Sequence, residues 1–376
     1  MGREAYLFSG KKLLFYLIIL VTMIFINSSF FWIYSSVSIY AMTFFIIILA
    51  LLKNKFKYIN YWTHAYIFVF YCMLTLTFSD GSFGSVLNII CNVFILLILC
   101  EYKLDNSNLK LVFLSFLIVN IYWIFNSAGY YQEFYNDRTL INSNIVGMVI
   151  SYTAIYLRIF LKQRNMKLTS LFSYIIPILS LWAILQLEAR GNFFALLIYL
   201  LIDSLIPKRL FKKGNILLFL ITVIILVGTV IPYIYVNYIN LINFDPSITS
   251  KDIYTRQYVW NLFFTAMNND FQSWLFGVGS QADVWNTTSI NLHNTYLAII
   301  GNFGLIGYLL YFSLFLRIIA KITKGPNMST FQIQLILGVT FQLLLGYVEV
   351  AMLWDVMYFF NFLFIGLAIN EKQKVE

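Results

Sequence analysis

The side chains able to do chemistry are few, and they gather at the edges of apolar runs. Arg190 sits in Gln186-Leu187-Glu188-Ala189-Arg190-Gly191-Asn192, a very short joint between two such runs. Arg256 sits in Arg256-Gln257-Tyr258-Val259-Trp260, inside a more polar stretch. His293 sits in Asn291-Leu292-His293-Asn294-Thr295-Tyr296-Leu297, where that stretch meets the next apolar run. An arginine presents a rigid, permanently charged fork that suits phosphate or carboxylate. A histidine, with an ordinary pKa of about 6.5, suits general-base work. Arg138 follows Tyr130, Tyr131, Phe134 and Tyr135. These aromatics, with Tyr258 and Trp260, have flat faces on which the C–H side of a sugar ring can stack.

Each feature has a plainer reading. Arg138 follows Asp137, and Arg190 is two residues from Glu188, so both could be salt-bridged. Arg256 could snorkel to lipid headgroups. A lone histidine is more often structural than catalytic. Aromatic residues collect at membrane interfaces without any ligand.

The elements that position these residues follow from composition. The chain has 376 residues, 61% of them hydrophobic and 11% charged, with mean hydropathy +0.80. Ordinary soluble domains are about 45–50% apolar and about 25% charged. That excludes a soluble enzyme, a nucleic-acid-binding module and a disordered chain. Cys72, Cys91 and Cys100 lie in apolar runs without metal-ligand spacing, and neither a Walker motif nor GxGxxG occurs. No metal site is expected, and no cofactor.

Apolar runs fall near 13–34, 37–52, 62–79, 83–100, 109–126, 144–161, 169–187, 191–206, 215–236, 293–316, 331–348 and 352–370. A bilayer core of about 30 Å takes about 20 apolar residues per helix. The expectation is therefore an all-α polytopic integral membrane protein of about 12 transmembrane helices, forming a single transmembrane domain over 1–376. With the N-terminus cytoplasmic, 21 of the 25 Lys and Arg fall on inner connections. Only Arg138, Arg190, Lys251 and Arg256 fall outside. Both termini are then cytoplasmic. The net charge of +9 is explained by topology rather than by nucleic acid.

One connection, 237–292, is long and lies outside. It should hold an amphipathic helix near 253–267. Thr249 and Asp252 resemble a capping box. Arg256, Val259, Trp260, Phe263, Phe264 and Met267 fall on one stripe at helical spacing. The Arg190 joint is so tight that an ionisable residue there reads as a site. Gly191 would allow a sharp turn or a close approach to a ligand.

In order, the chain shows the Ala-Arg-Gly joint, the Arg256–Trp260 segment, Trp274-Leu275-Phe276-Gly277-Val278-Gly279, His293-Asn294-Thr295-Tyr296-Leu297 and Gly301-Asn302-Phe303-Gly304-Leu305-Ile306-Gly307. This pattern resembles the O-antigen polymerase and O-antigen ligase superfamily over roughly residues 180–320. One departure is Ala189, where the family often has a hydroxyl residue. The resemblance implies a GT-C-like inner-membrane glycosyltransferase with its site on the outer face. Its substrates would be undecaprenyl-pyrophosphate-linked glycans, with a flippase and a chain-length regulator as partners besides membrane lipid. Arg190 and Arg256 would clamp the pyrophosphate without metal. His293 would deprotonate the acceptor hydroxyl, and one displacement would invert the anomeric centre. Arg138, Asn294, Trp260, Tyr258 and Gly191 would contact substrate. A polymerase is favoured over a ligase that transfers the glycan to lipid A core. A flippase is a third reading, but ionisable residues gather at the outer rim rather than along mid-span positions.

Overall fold

A computed structural model describes residues 26, 59–101, 106–137, 139–163, 167–238, 251–279, 292–324, 327–350, 352–353 and 358–375. Every regular element among them is helical, as expected. Numbered over the described residues, the helices are α1 (Ile59–Thr75), α2 (Phe83–Glu101), α3 (Asn106–Asn126), α4 (Tyr130–Asn136), α5 (Ser143–Gln163), α6 (Lys167–Gln186) and α7 (Arg190–Leu205). A 3-10 turn at Lys208–Phe211 follows. Then come α8 (Asn215–Tyr238), α9 (Lys251–Met267), α10 (Phe271–Phe276), α11 (Thr295–Thr323), α12 (Thr330–Leu345) and α13 (Tyr358–Val375).

Ten of the apolar runs read from the sequence reappear as helices, most with ends shifted by a few residues. The runs at 13–34 and 37–52 lie outside the described residues, apart from Ile26. Among the described residues, six helices are long and apolar enough to cross a membrane: α2, α5, α6, α8, α11 and the part of α3 from Leu109. Shorter apolar helices accompany them. The chain is a polytopic helical membrane protein.

The described residues fall into two compact units. In the first, drawn from 102–205, α5 is the central post and packs against α3, α6 and α7. Its residues from Ile145 to Ile159 are all buried. Several polar groups inside are paired with one another, which offsets the cost of burying them away from water. Asn120 of α3 donates to the Ile150 carbonyl at 3.2 Å, to Thr153 Oγ1 at 3.0 Å and to Ser180 Oγ at 3.2 Å, tying α3, α5 and α6. Arg158 of α5 is 1% exposed, and its Nε donates to Asp203 of α7 at 2.8 Å. Lys162 reaches the same carboxylate oxygen at 2.6 Å.

In the second unit, drawn from 49–101 and 206–372, α11 packs against α1, α8 and α10. It has 29 residues, more than the about 20 that a hydrocarbon core takes. The helix breaks at Gly304, whose φ of 66° and ψ of −177° are open to glycine. The Leu275 carbonyl lies where a Cβ would be. The Tyr71 hydroxyl braces the break, its proton facing the carbonyls of Leu275 at 2.8 Å and Phe303 at 2.9 Å.

Each unit also repairs a proline in the same way. Proline has no N–H, so it leaves the carbonyl four residues earlier without its helical donor. Pro177 in α6 releases Ser173, and Arg158 Nη1 donates to that carbonyl at 2.9 Å. Pro232 in α8 releases Gly228, and Asn294 Nδ2 donates there at 3.4 Å.

Candidate functional site

Arg190 and its joint belong to the first unit. Helix α6 ends at Gln186 and α7 begins at Arg190, so only three residues turn the chain. Leu187 and Ala189 are fully buried. The Cβ of Ala189 fits because Gly147 of α5 has none; a Cβ at 147 would come within 2.7 Å of it. Asn192 Nδ2 donates to the Asn144 carbonyl at 3.1 Å and pins the first turn of α7. The reversal falls on Glu188 at φ 53°, and the Arg190 N–H closes it on the Glu188 carbonyl at 2.9 Å. Gly191, expected to make the turn, lies within α7, past the reversal. The turn is complete before it. The Arg190 side chain is exposed.

His293 and Arg256 belong to the second unit. His293 adopts φ 47° immediately before α11. A left-handed conformation costs a non-glycine residue roughly 1–3 kcal/mol, and such strain clusters at functional sites. Among the described residues only Glu188 and His293 are non-glycine residues of this kind. One is the general base expected from the sequence, and the other makes the joint that presents Arg190.

The histidine is fixed by its surroundings. Nδ1 lies 3.2 Å from Oε2 of Glu349, which is 3% exposed. The stretch carrying Glu349 is held against the head of α11 by two bonds from Thr295. Its N–H donates to the Gly346 carbonyl at 2.9 Å, and its hydroxyl to the Glu349 carbonyl at 2.9 Å. Glu349 was not expected in the site. Its signal was there: it is the one charged residue between Lys324 and Asp355. A carboxylate alone in so apolar a run has to find a partner.

Two expected substrate contacts have other work. Asn294 was expected to touch substrate, but it is 1% exposed and caps α11. Its Oδ1 accepts from the Leu297 N–H at 2.9 Å, and its Nδ2 donates to the carbonyls of Gly228 and Tyr347. Trp260 was expected to stack on sugar, but it is 6% exposed and meets Tyr235 edge-on at 5.5 Å. Its indole N–H donates to the Leu292 carbonyl at 2.8 Å. Trp260 is thus a strut from α9 to the residue before His293.

The stripe on α9 explains this. Val259, Trp260, Phe263, Phe264 and Met267 are all buried. Arg256 is half-buried at the head of the stripe, one turn or about 6 Å before Trp260. Arg138, Thr249 and the Tyr258 side chain lie outside what the structure describes. Among the described residues, no three His, Cys, Asp or Glu side chains converge.

The first unit presents an exposed cation at a tight joint; the second presents a half-buried cation at the head of an apolar stripe and a carboxylate-paired imidazole before α11. Residues 175–312 match the family model Wzy_C, described as O-Antigen ligase. The matched segment contains Arg190, Arg256 and His293. It supports the O-antigen ligase and polymerase superfamily and implies a membrane enzyme of that type. It does not separate ligase from polymerase. No curated protein matches the chain.

Proposed function

We propose that the protein is an inner-membrane glycosyltransferase that polymerises undecaprenyl-pyrophosphate-linked oligosaccharide repeat units on the outer side of the membrane. The observation that carries the reading is His293, held in a strained backbone with Nδ1 on buried Glu349. When Nδ1–H donates to the carboxylate, Nε2 carries the basic lone pair. Glu349 then orients the base, the logic by which a carboxylate serves a catalytic histidine elsewhere.

In this reading the acceptor hydroxyl oxygen attacks the anomeric carbon of the donor, and its proton passes to His293 Nε2. The bond from that carbon to the pyrophosphate oxygen breaks, and its electron pair leaves on the pyrophosphate. Arg190 and Arg256 neutralise that charge, the role a metal plays in other phosphosugar enzymes. The displacement inverts the anomeric centre. Arg138, Tyr258 and Gly191 are assigned to substrate binding. Activity therefore persists in excess chelator, and a strict need for magnesium or manganese contradicts the arginine assignment.

The second reading is a ligase, favoured by the family description of the matched segment. The experiment is reconstitution of the purified protein in nanodiscs with an undecaprenyl-pyrophosphate-linked repeat unit, alone or with lipid A core. A ladder of repeats from the lipid-linked unit alone supports polymerase. Product only with lipid A core supports ligase. Neither product contradicts glycosyl transfer.

A further inference from the structure

The second unit holds an open cavity of about 640 Å³ that the reaction above does not use. Binding sites for small molecules run to roughly 300–1,000 Å³. Its walls are the loop after α1, from Leu76 to Asp80, and the stretch from the end of α9 through α10 to Val278. By the charge distribution of the sequence, this is the outer end of these helices.

The cavity is built on glycines. Gly277 and Gly279 have φ of 85° and 86°. A Cβ on Gly277 would meet the Gly301 carbonyl oxygen at 2.6 Å, and one on Gly279 would strike the backbone of Asp80 and Gly81. The Asp80 N–H donates to the Val278 carbonyl at 3.2 Å, and the Gly279 N–H to the Gly301 carbonyl at 3.0 Å. The floor, Gly277 to Gly279, is therefore clamped between the loop after α1 and the flank of α11. This accounts for the glycines in the Trp274–Gly279 motif.

The lining fits one ligand chemistry. Asp80, Asn269 and Gln272 line the cavity with exposed side chains, and among the described residues these have no partner within the protein. Asp270 accepts the Ser273 N–H at 2.6 Å through one oxygen. Phe78 is 46% exposed and is backed by Phe276 at 4.7 Å, nearly parallel. Acceptor-rich carboxylates and amides beside a braced aromatic face suit a ligand with many hydroxyls and an apolar C–H side. Two carboxylates disfavour an anionic one. The floor rests on Gly301, in the second turn of α11, whose first residue, Thr295, lies two after His293.

We propose that this cavity is a glycan subsite that holds neutral or amino-sugar units of the substrate away from the reacting bond. The assignment rests on the glycosyltransferase reading. It gives the enzyme a grip on chain that does not react, and it sets a preference against uronic and other acidic sugars.

The test uses the full chain in nanodiscs and three probes: maltotetraose, chitotetraose and tetragalacturonate. Saturation-transfer NMR reports binding directly. Expected is a signal from at least one neutral probe, reduced about threefold or more in Phe78→Ala and in Asp80→Asn/Gln272→Ala, and none from tetragalacturonate. Both variants change exposed side chains, so folded yield and thermal midpoint should match the parent. With a lipid-linked neutral glycan, the same variants should raise KM about tenfold and leave kcat within about twofold, as for lost uniform binding. No neutral signal, a signal unchanged in the variants, or equal binding of tetragalacturonate overturns the subsite. Probe binding in a protein that transfers no lipid-linked glycan faults the glycosyltransferase reading instead. Normal transfer with unchanged KM in the variants faults the subsite alone.

Discussion

His293, Arg190 and Arg256 differ in how much the fold spends on them. His293 has strained backbone, a buried carboxylate partner and a neighbour, Leu292, gripped by Trp260. Arg190 follows a strained joint seated on Gly147. Arg256 has the head of a buried stripe. If the two arginines neutralise a leaving pyrophosphate, each supplies about 2–4 kcal/mol in the transition state. Arg190→Ala and Arg256→Ala should each lower single-turnover transfer by about 10²–10³-fold, with normal membrane insertion. Lys at either position should restore only part, because a point charge lacks the bidentate fork. Full activity of both Lys variants contradicts the clamp. At this scale the sequence disclosed the cations and the imidazole, because ionisable residues are rare in so apolar a chain. It did not disclose Glu349, which lies 56 positions from His293 and is paired only by folding. Nor did it disclose that Asn294 serves a cap and a proline-released carbonyl, or that Trp260 serves as a strut.

Among the elements, helix ends were legible because hydropathy stops where a span stops. The 215–236 run became Asn215–Tyr238, and 331–348 became Thr330–Leu345. Breaks inside helices were not legible. Gly304 breaks α11, yet it is one of three glycines in that stretch, with Gly301 and Gly307, and the Leu275 backbone against it is what singles it out. The pairing of Arg158 with Asp203 was hidden too. Topology counting places Arg158 with inner-surface charge, whereas it is buried between helices and fills the carbonyl released by Pro177. That pairing makes a prediction for the first unit. Asp203→Asn leaves the buried Arg158 without its counter-charge, and breaking such a pair costs about 3–5 kcal/mol. The thermal midpoint and folded yield should fall clearly. Asp203→Leu with Arg158→Leu removes both charges and should be less damaging than Asp203→Asn. A midpoint for Asp203→Asn equal to the parent would show that the Ser173 carbonyl, the Ser204 hydroxyl and the Tyr174 ring suffice for Arg158 without the carboxylate.

For the whole molecule, the all-helical polytopic class follows from composition and is what the structure shows. The Lys and Arg split sets an expectation of sidedness that can be tested directly. Reporters placed at Lys212 and at Phe271 should lie on opposite sides of the membrane, inner and outer respectively. Same-side reporters contradict the topology on which an outer site depends. The central claim is that a metal-independent glycosyl transfer runs through His293. The most direct measurement is single-turnover transfer from an undecaprenyl-pyrophosphate-linked repeat unit, followed across pH for the parent, His293→Ala and His293→Gln. A positioned base contributes about 10²–10⁴-fold. The account predicts a loss of that size in both variants, because glutamine keeps a polar side chain but takes no proton near neutral pH. It also predicts that the pH profile changes when the imidazole is removed. A His293→Gln protein with near-normal turnover and an unchanged pH profile would contradict it.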